Sequence, residues 1–170
     1  MSRRHTTLPT SLGDLLVVAD GDALVGIYFP EHWHPPAAGS IGVEVDRRSD
    51  ELFHRLDAQL REYLDGRRLD FELPAAATGD EFQQAVWSML RGIPYGSTAT
   101  YGELASRLGD HRLARRVGNA VGRNPLSILV PCHRVVGADG ALTGYAGGLE
   151  RKRFLLELEG APVVAQARLF

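Results

Sequence analysis

A thiol and an imidazole stand side by side in Pro131-Cys132-His133-Arg134, and Cys132 is the only cysteine among 170 residues. A single thiol cannot form an internal disulfide, so Cys132 is either an inert buried side chain or a nucleophile. Ile128, Leu129 and Val130 precede the tetrapeptide and Val135-Val136 follow it. That pattern predicts a strand delivering the cysteine to a tight turn in a mostly buried setting. If Pro131 opens a helical turn, unpaired N–H groups and the positive end of the helix dipole favour the thiolate, and Arg134 adds charge. The expectation is a lowered thiol pKa.

The elements that must hold this turn are read from patterning. Residues 13–19 and 23–29 form two strands joined by Asp20-Gly21-Asp22, an antiparallel hairpin signal. Residues 32–39, with Pro35 and Pro36, are irregular. Ser49-Asp50 cap a helix whose Leu52, Phe53, Leu56, Leu60 and Leu64 share one face, and Gly66 ends it. A short strand over residues 69–73 leads into Pro74-Ala75-Ala76-Ala77, a linker. The class is therefore α+β: a small N-terminal α/β domain over residues 1–75, antiparallel sheet plus helix, and a mainly helical C-terminal domain over residues 76–170. In the second, Thr78 or Asp80 caps a helix carrying Phe82, Val86, Trp87 and Leu90, and Ile93-Pro94-Tyr95-Gly96 breaks it. Thr100-Tyr101-Gly102-Glu103 has capping-box form and opens a short helix through Leu108. After the Gly109-Asp110 turn a second helix runs over residues 112–122, giving a helix-turn-helix.

The net charge of −2 hides an uneven distribution. Residues 1–80 hold 8 Arg against 14 Asp or Glu, a net −6, whereas residues 91–134 hold 7 Arg against Glu103 and Asp110, a net +5. This asymmetry points to an anion-binding surface in the second half, although a solvated charged face is the commoner origin of any one cluster. On its second helix Leu113, Val117 and Ala120 or Val121 form the inner stripe. Arg112, Arg115, Arg116, Asn119 and Arg123 recur at offsets of three, four, seven and eleven and project together as a phosphate-reading stripe. Ala114, Gly118 and Gly122 make a small-residue edge between the two. Glycine inside a helix costs about 1 kcal/mol relative to alanine, so this edge answers to close packing, against a partner or against another element of the protein. Lys152 is the only lysine, which genome composition explains as readily as function. The 44% hydrophobic content supports a real core. No run approaches the roughly 18 apolar residues of a membrane span. The N-terminus, with Arg3 and Arg4 but no apolar stretch, lacks a secretory signal. The expectation is a cytoplasmic protein with no membrane partner.

Ile93-Pro94-Tyr95-Gly96, Tyr101-Gly102, Arg115 followed by Val117-Gly118, Asn124-Pro125, Pro131-Cys132-His133-Arg134-Val135, and Gly144-Tyr145 with Gly147-Gly148 stand in one order and spacing. In these the second domain resembles the O6-alkylguanine-DNA alkyltransferases. The first domain is similar only in its strands and size. The resemblance implies a ribonuclease H-like first domain and a winged-helix-like second one. It also implies that Cys132 accepts the alkyl group of O6-alkylguanine, with O4-alkylthymine left open, after the damaged nucleotide is rotated out of the duplex. His133 then acts as base through a bridging water, and Glu159, in the last helix, orients and polarises it. Adjacent helical residues point about 100° apart, which disfavours a direct Cys132–His133 hydrogen bond and agrees with that relay. Tyr101 matches the residue that helps rotate the nucleotide and protonates the leaving base. Arg115 matches the finger that fills the vacated stack, and Asn124 the hinge tying the recognition helix to the active-site turn. Val135 main-chain groups, Tyr145 and Tyr101 line the base pocket. With the stripe and the small-residue edge, Arg112, Arg115, Arg116, Arg123, Ala114 and Gly118 are the expected DNA-binding residues.

A thioether resists water and no second thiol can resolve it, so the resemblance implies one turnover per molecule and no cofactor. The expected partner is double-stranded DNA containing O6-alkylguanine. No obligatory protein partner is implied, and the protein is expected to be a monomer, with cooperative assembly on DNA left open. His5, His32, His34 and His54 lack a ligand spacing and the first domain has no cysteine, so no metal is expected. Arg116 stands where many family members carry a small alanine, so it either reaches a phosphate or crowds the groove. Two other classes compete for the same residues. A damage sensor of the alkyltransferase-like kind lacks the cysteine that is present here, and a Cys-His hydrolase needs histidine touching the sulfur.

Overall fold

The computed structural model describes residues 3–163. In chain order these form β1 (Arg3–Thr10), β2 (Gly13–Asp20), β3 (Ala23–Tyr28), β4 (Val43–Glu44), α1 (Glu51–Leu64), α2 (Glu81–Arg91), β5 (Ala99–Thr100), α3 (Tyr101–Arg107), α4 (Ala114–Gly122), β6 (Val135–Val136) and α5 (Leu149–Leu158). Single 3-10 turns occur at His111–Leu113 and Cys132–Arg134. The chain divides into two compact units, one of residues up to 78 together with 125–129, the other of residues 79–124 with 130 onward. Residues 125–129 thus belong to the first unit, although the expected second domain over residues 76–170 includes them.

The first unit is built on a sheet of order β3-β2-β1-β4, antiparallel except where β4 joins β1 in parallel. The β2–β3 hairpin forms where Asp20-Gly21-Asp22 marks it. Strand β1 escaped the sequence reading, because within Arg3–Thr10 only Thr6 and Leu8 turn inward and Pro9 sits near the hairpin end. Asp50 caps α1 by accepting from Phe53 N, and Arg4 of β1 pairs with the same carboxylate while its guanidinium lies 5.4 Å over the Phe53 ring. The helix thus buries Leu52, Phe53, Leu56 and Leu60, joined by Gln59 and Tyr63.

The expected strand over residues 69–73 does not form. Side chains of α1 take the place of a neighbouring strand: Gln59 Oε1 accepts from Glu72 N at 2.9 Å, and Arg55 donates to Glu72 O at 2.8 Å. The chain then runs along the outer edge of β3, where Leu24 N donates to Pro74 O (2.9 Å) and Ala76 N to Leu24 O (2.8 Å). Further along the same edge Ile27 N donates to Pro125 O (2.8 Å) and Ser127 N to Ile27 O (3.3 Å). The edge of β3 is covered by two irregular segments rather than left to pair with another chain.

In the second unit α2 begins at a capping box of Asp80 and Gln83, and Trp87 Nε1 donates to Ala120 O at 2.8 Å, which fixes α2 against α4. Thr100 and Glu103 form the capping box expected for α3. The second helix of the pair is shorter than expected, since His111–Leu113 is a 3-10 turn and Arg112 lies in it rather than on α4. Strand β5 pairs in parallel with β6, Ala99 opposite Val135. No strand precedes Cys132: residue 126 makes one bridge, and Ile128 turns the backbone at φ 74°. A β-branched residue in that region is strained, and buried Ile128 is held there by the packing around it. Among the described residues no helix is long and apolar enough to cross a membrane.

Candidate active site

Pro131 opens a single 3-10 turn whose first residue is Cys132, and Val135 N closes it by donating to Cys132 O. The sulfur is almost wholly buried, the residue being 5% exposed. Burial pushes the Cys132 thiol above its usual value. Hydrogen bonds from the side chains of Asn124 and Tyr145, the positive charge of Lys152 and the residue's own amide all pull the other way without prevailing. The expected lowered thiol is therefore corrected. A three-residue turn carries little dipole, and Arg134, expected to lend charge to the thiolate, is engaged elsewhere.

His133 is fully buried, and its Nε2 lies 2.9 Å from Glu159 Oε2. Arg134 grips the same carboxylate with two bonds, Nε to Oε1 at 2.9 Å and Nη2 to Oε2 at 2.8 Å, and Gly96 N donates to Oε1 at 3.3 Å. A carboxylate holding a bidentate arginine is ionised and only accepts, so His133 Nε2 carries the proton and Nδ1 keeps its lone pair. Nδ1 has no hydrogen-bond partner among the described residues. Burial lowers the His133 pKa from its usual 6.5, with Glu159 opposing, so the imidazole is neutral at physiological pH. Ile93-Pro94-Tyr95-Gly96 wraps this ion pair: Ile93 O accepts from Arg134 Nη1 at 2.7 Å and the Tyr95 ring lies 5.8 Å from the guanidinium. Glu159 itself caps the C-terminus of α5.

The remaining expected residues converge on the same turn. Asn124 donates to Val130 O at 2.8 Å and its side chain also reaches Cys132, so it clasps the chain on either side of 125–129. Tyr145 is buried against the sulfur. Tyr101 opens α3, and its hydroxyl accepts from Thr143 at 3.4 Å. Burial raises the Tyr101 pKa, the hydrogen bond from Thr143 opposes, and the charge of Cys132 adds to the rise. Sequence reasoning missed Lys152. It is fully buried on α5, donates to Thr143 O at 2.7 Å and Gly144 O at 3.2 Å, and is pushed down to about 8 by burial. The signal was available: one lysine in a chain that otherwise uses arginine. A compact ammonium can be buried and can shed its proton where a guanidinium does not.

On α4 the side chains of Arg115 and Arg116 are exposed, as are those of Asn119 and Arg123, while Val117, Ala120 and Val121 face inward. Arg112 is paired with Asp110 at 3.0 Å, and Arg116 lies over the Phe82 ring at 3.9 Å. The small-residue edge is not filled by the protein itself. A methyl at Gly118 would only touch the Tyr101 ring at 3.7 Å, and one at Gly122 would meet nothing within 4 Å. Gly122→Ala is therefore expected to stabilise the protein by up to about 1 kcal/mol, read as a higher thermal midpoint. A lower midpoint would show that the edge is packed against the protein after all.

Residues 81–161 match the 6-O-methylguanine DNA methyltransferase DNA binding domain. Residues 4–77 match the ribonuclease-like domain of the same family. A methylated-DNA–protein-cysteine methyltransferase of Haemophilus influenzae is 41% identical over 163 residues, 94% of this chain and 88% of its own length. One from Methanosarcina acetivorans is 42% identical over 92% of this chain and 98% of its own. The crystal structure of Mycobacterium tuberculosis OGT in complex with DNA superimposes with a TM-score of 0.83 at 39% identity, covering 94% of this chain and 95% of that one.

Proposed function

Since the chain belongs to the methylated-DNA–protein-cysteine methyltransferase family, we propose that it repairs DNA by moving the alkyl group of O6-alkylguanine onto its own Cys132, once per molecule. The observation that carries this reading is a buried Cys132 thiol followed directly by an imidazole whose Nε2–H is committed to Glu159 at 2.9 Å and whose Nδ1 keeps its lone pair. The free lone pair of His133 Nδ1 takes the thiol proton through a water, and Glu159, clamped by Arg134, offsets the charge that develops. Sulfur then attacks the alkyl carbon. The Sγ–C bond forms as the O6–C bond breaks, and the electron pair passes into the guanine ring. Tyr101, a phenol that burial keeps neutral well above physiological pH, supplies a proton to the leaving base. The positive charge of Lys152 and the hydrogen bonds of Asn124 and Tyr145 favour the thiolate once it forms.

For the base to reach a buried sulfur it must leave the duplex. The helix-turn-helix of α3 and α4 supports this part of the reading. Its open small-residue edge admits a close partner, and Arg115 projects from the exposed side of α4. The protein acts as a cytoplasmic monomer on double-stranded DNA and needs no cofactor.

Duplex DNA bearing labelled O6-methylguanine tests the transfer. The label should move to the protein up to one equivalent. An unlabelled protein that still binds would be a damage sensor, and label released over many turnovers would mark a hydrolase. Extrusion is tested separately. Arg115→Ala should slow transfer from duplex DNA more than transfer from free O6-benzylguanine, because only the duplex demands the few kcal/mol of unstacking. Equal slowing of both would mean that Arg115 supports the fold or the chemistry rather than filling the vacated stack.

A further inference from the structure

Of the α4 arginines and Arg112 before them, Arg116 is the one whose guanidinium is set in place by an aromatic ring. Arg112 is engaged by Asp110. Arg116 instead sits over Phe82, in the first turn of α2, with its Cζ 3.9 Å from the ring centroid. Among the described residues no carboxylate pairs with it. An arginine held by one face of its plane keeps its in-plane N–H donors available, and those donors match the oxygens of a phosphate. Phe82, Gln83, Arg115, Arg116 and Asn119 line an open cavity of about 420 Å³ on this side of the unit, with Asp80 as its acidic member. Asp80 is occupied in capping α2 and accepts from Gln83 N at 2.8 Å.

Arg115 and Arg116 are consecutive on a helix, so their side chains leave the axis about 100° apart. Both border the cavity, but Arg116 is the one seated on Phe82. We propose that Phe82 and Arg116 form a phosphate clamp: the ring holds the guanidinium aside from the groove and turns its donors toward the sugar–phosphate backbone beside the nucleotide served by Arg115. This rests on the DNA-repair reading above and deepens it. It resolves the choice between a phosphate contact and crowding that a large residue at this position raises. It also brings α2, outside the helix-turn-helix, into the DNA-binding surface.

The test is equilibrium binding of the full chain to a duplex over a salt series. Wild type is compared with Arg116→Ala, Phe82→Ala, the double variant and Arg116→Lys, each first checked for an unchanged thermal midpoint. Should Phe82→Ala melt early, Phe82→Leu replaces it, keeping apolar volume without the ring. Loss of one phosphate contact should shrink the slope of log K against log salt in Arg116→Ala by about one unit, and weaken binding roughly five- to tenfold near 0.1 M salt. Phe82→Ala should weaken binding as well, and the double variant should bind no more weakly than Arg116→Ala alone. Arg116→Lys should keep the slope while losing part of the affinity. An unchanged slope in Arg116→Ala, strict additivity of the two single losses, or tighter binding by Arg116→Ala would overturn the clamp. Wild-type protein that neither binds the duplex nor becomes alkylated would refute the repair reading itself, which is a different result.

Discussion

Cys132→Ser protein, mixed with duplex DNA carrying labelled O6-methylguanine, should take up no label while still retaining the duplex. Burial already holds the Cys132 thiol above its usual pKa, and hydrogen bonds from Asn124 and Tyr145 with the charge of Lys152 only partly offset it. A hydroxyl loses its proton far less readily than a thiol, and the same site gives it no more help. The arginines of α4 are untouched by the change, so affinity for the duplex should persist. Rates are read from single-turnover mixing, with the label counted on protein. Methyl transfer surviving at a tenth of the wild-type rate would exclude Cys132 as the sole acceptor.

Glu159→Gln is expected to damage both stability and chemistry. Its carboxylate is fully buried and answers the charge of Arg134, whose side chain is 10% exposed. Removing one member of a buried pair strands the other, at a cost of about 3–5 kcal/mol, visible as a lower denaturant midpoint. The amide can also donate to His133 Nε2, which would move the imidazole proton to Nδ1 and remove the lone pair that the proposed mechanism uses as base. Transfer should slow by about a hundredfold or more. A double variant, Glu159→Leu with Arg134→Met, separates the two effects. Replacing the whole pair by apolar side chains should recover much of the stability, because no charge is left stranded, but not the rate. Recovery of the rate along with the stability would show that Glu159 does no more than hold the fold.

The parts of this site that depend on local pattern were legible before any coordinates. The cap at Asp80, one of two candidates with Thr78, the capping box at Thr100, the Leu and Phe face of α1 and the hairpin at Gly21 are written in nearby residues, and they form where expected. What failed depended on distant partners. Residues 69–73 alternate like a strand, yet Gln59 and Arg55 claim the backbone of Glu72. Strand β1 shows only two inward residues, and its place in the sheet comes from pairing on both sides. The thiol was expected to be acidic from its neighbours in the chain. Its pKa is instead set by burial and by Asn124, Lys152 and Tyr145, none of them adjacent in sequence. Arg134, read as an aid to the sulfur, turned out to hold Glu159, 25 residues away. The lone Lys152, which composition explains as readily as function, buries its ammonium on the carbonyls of Thr143 and Gly144, nine and eight residues back in the chain.

The segment 125–129 imposes an order in time. Ile27 lies near the start of the chain, yet both its amide and its carbonyl find their partners at Pro125 and Ser127. While the chain is being made, that stretch of β3 therefore waits, solvated and unpaired, until nearly three-quarters of the protein has left the ribosome. A first unit released early, by a nonsense codon or a protease acting between the units, carries an open strand edge with Ile27 in it, of the kind that recruits other chains. The same chain excursion that leads directly into the Cys132 turn thus also closes the edge of the sheet.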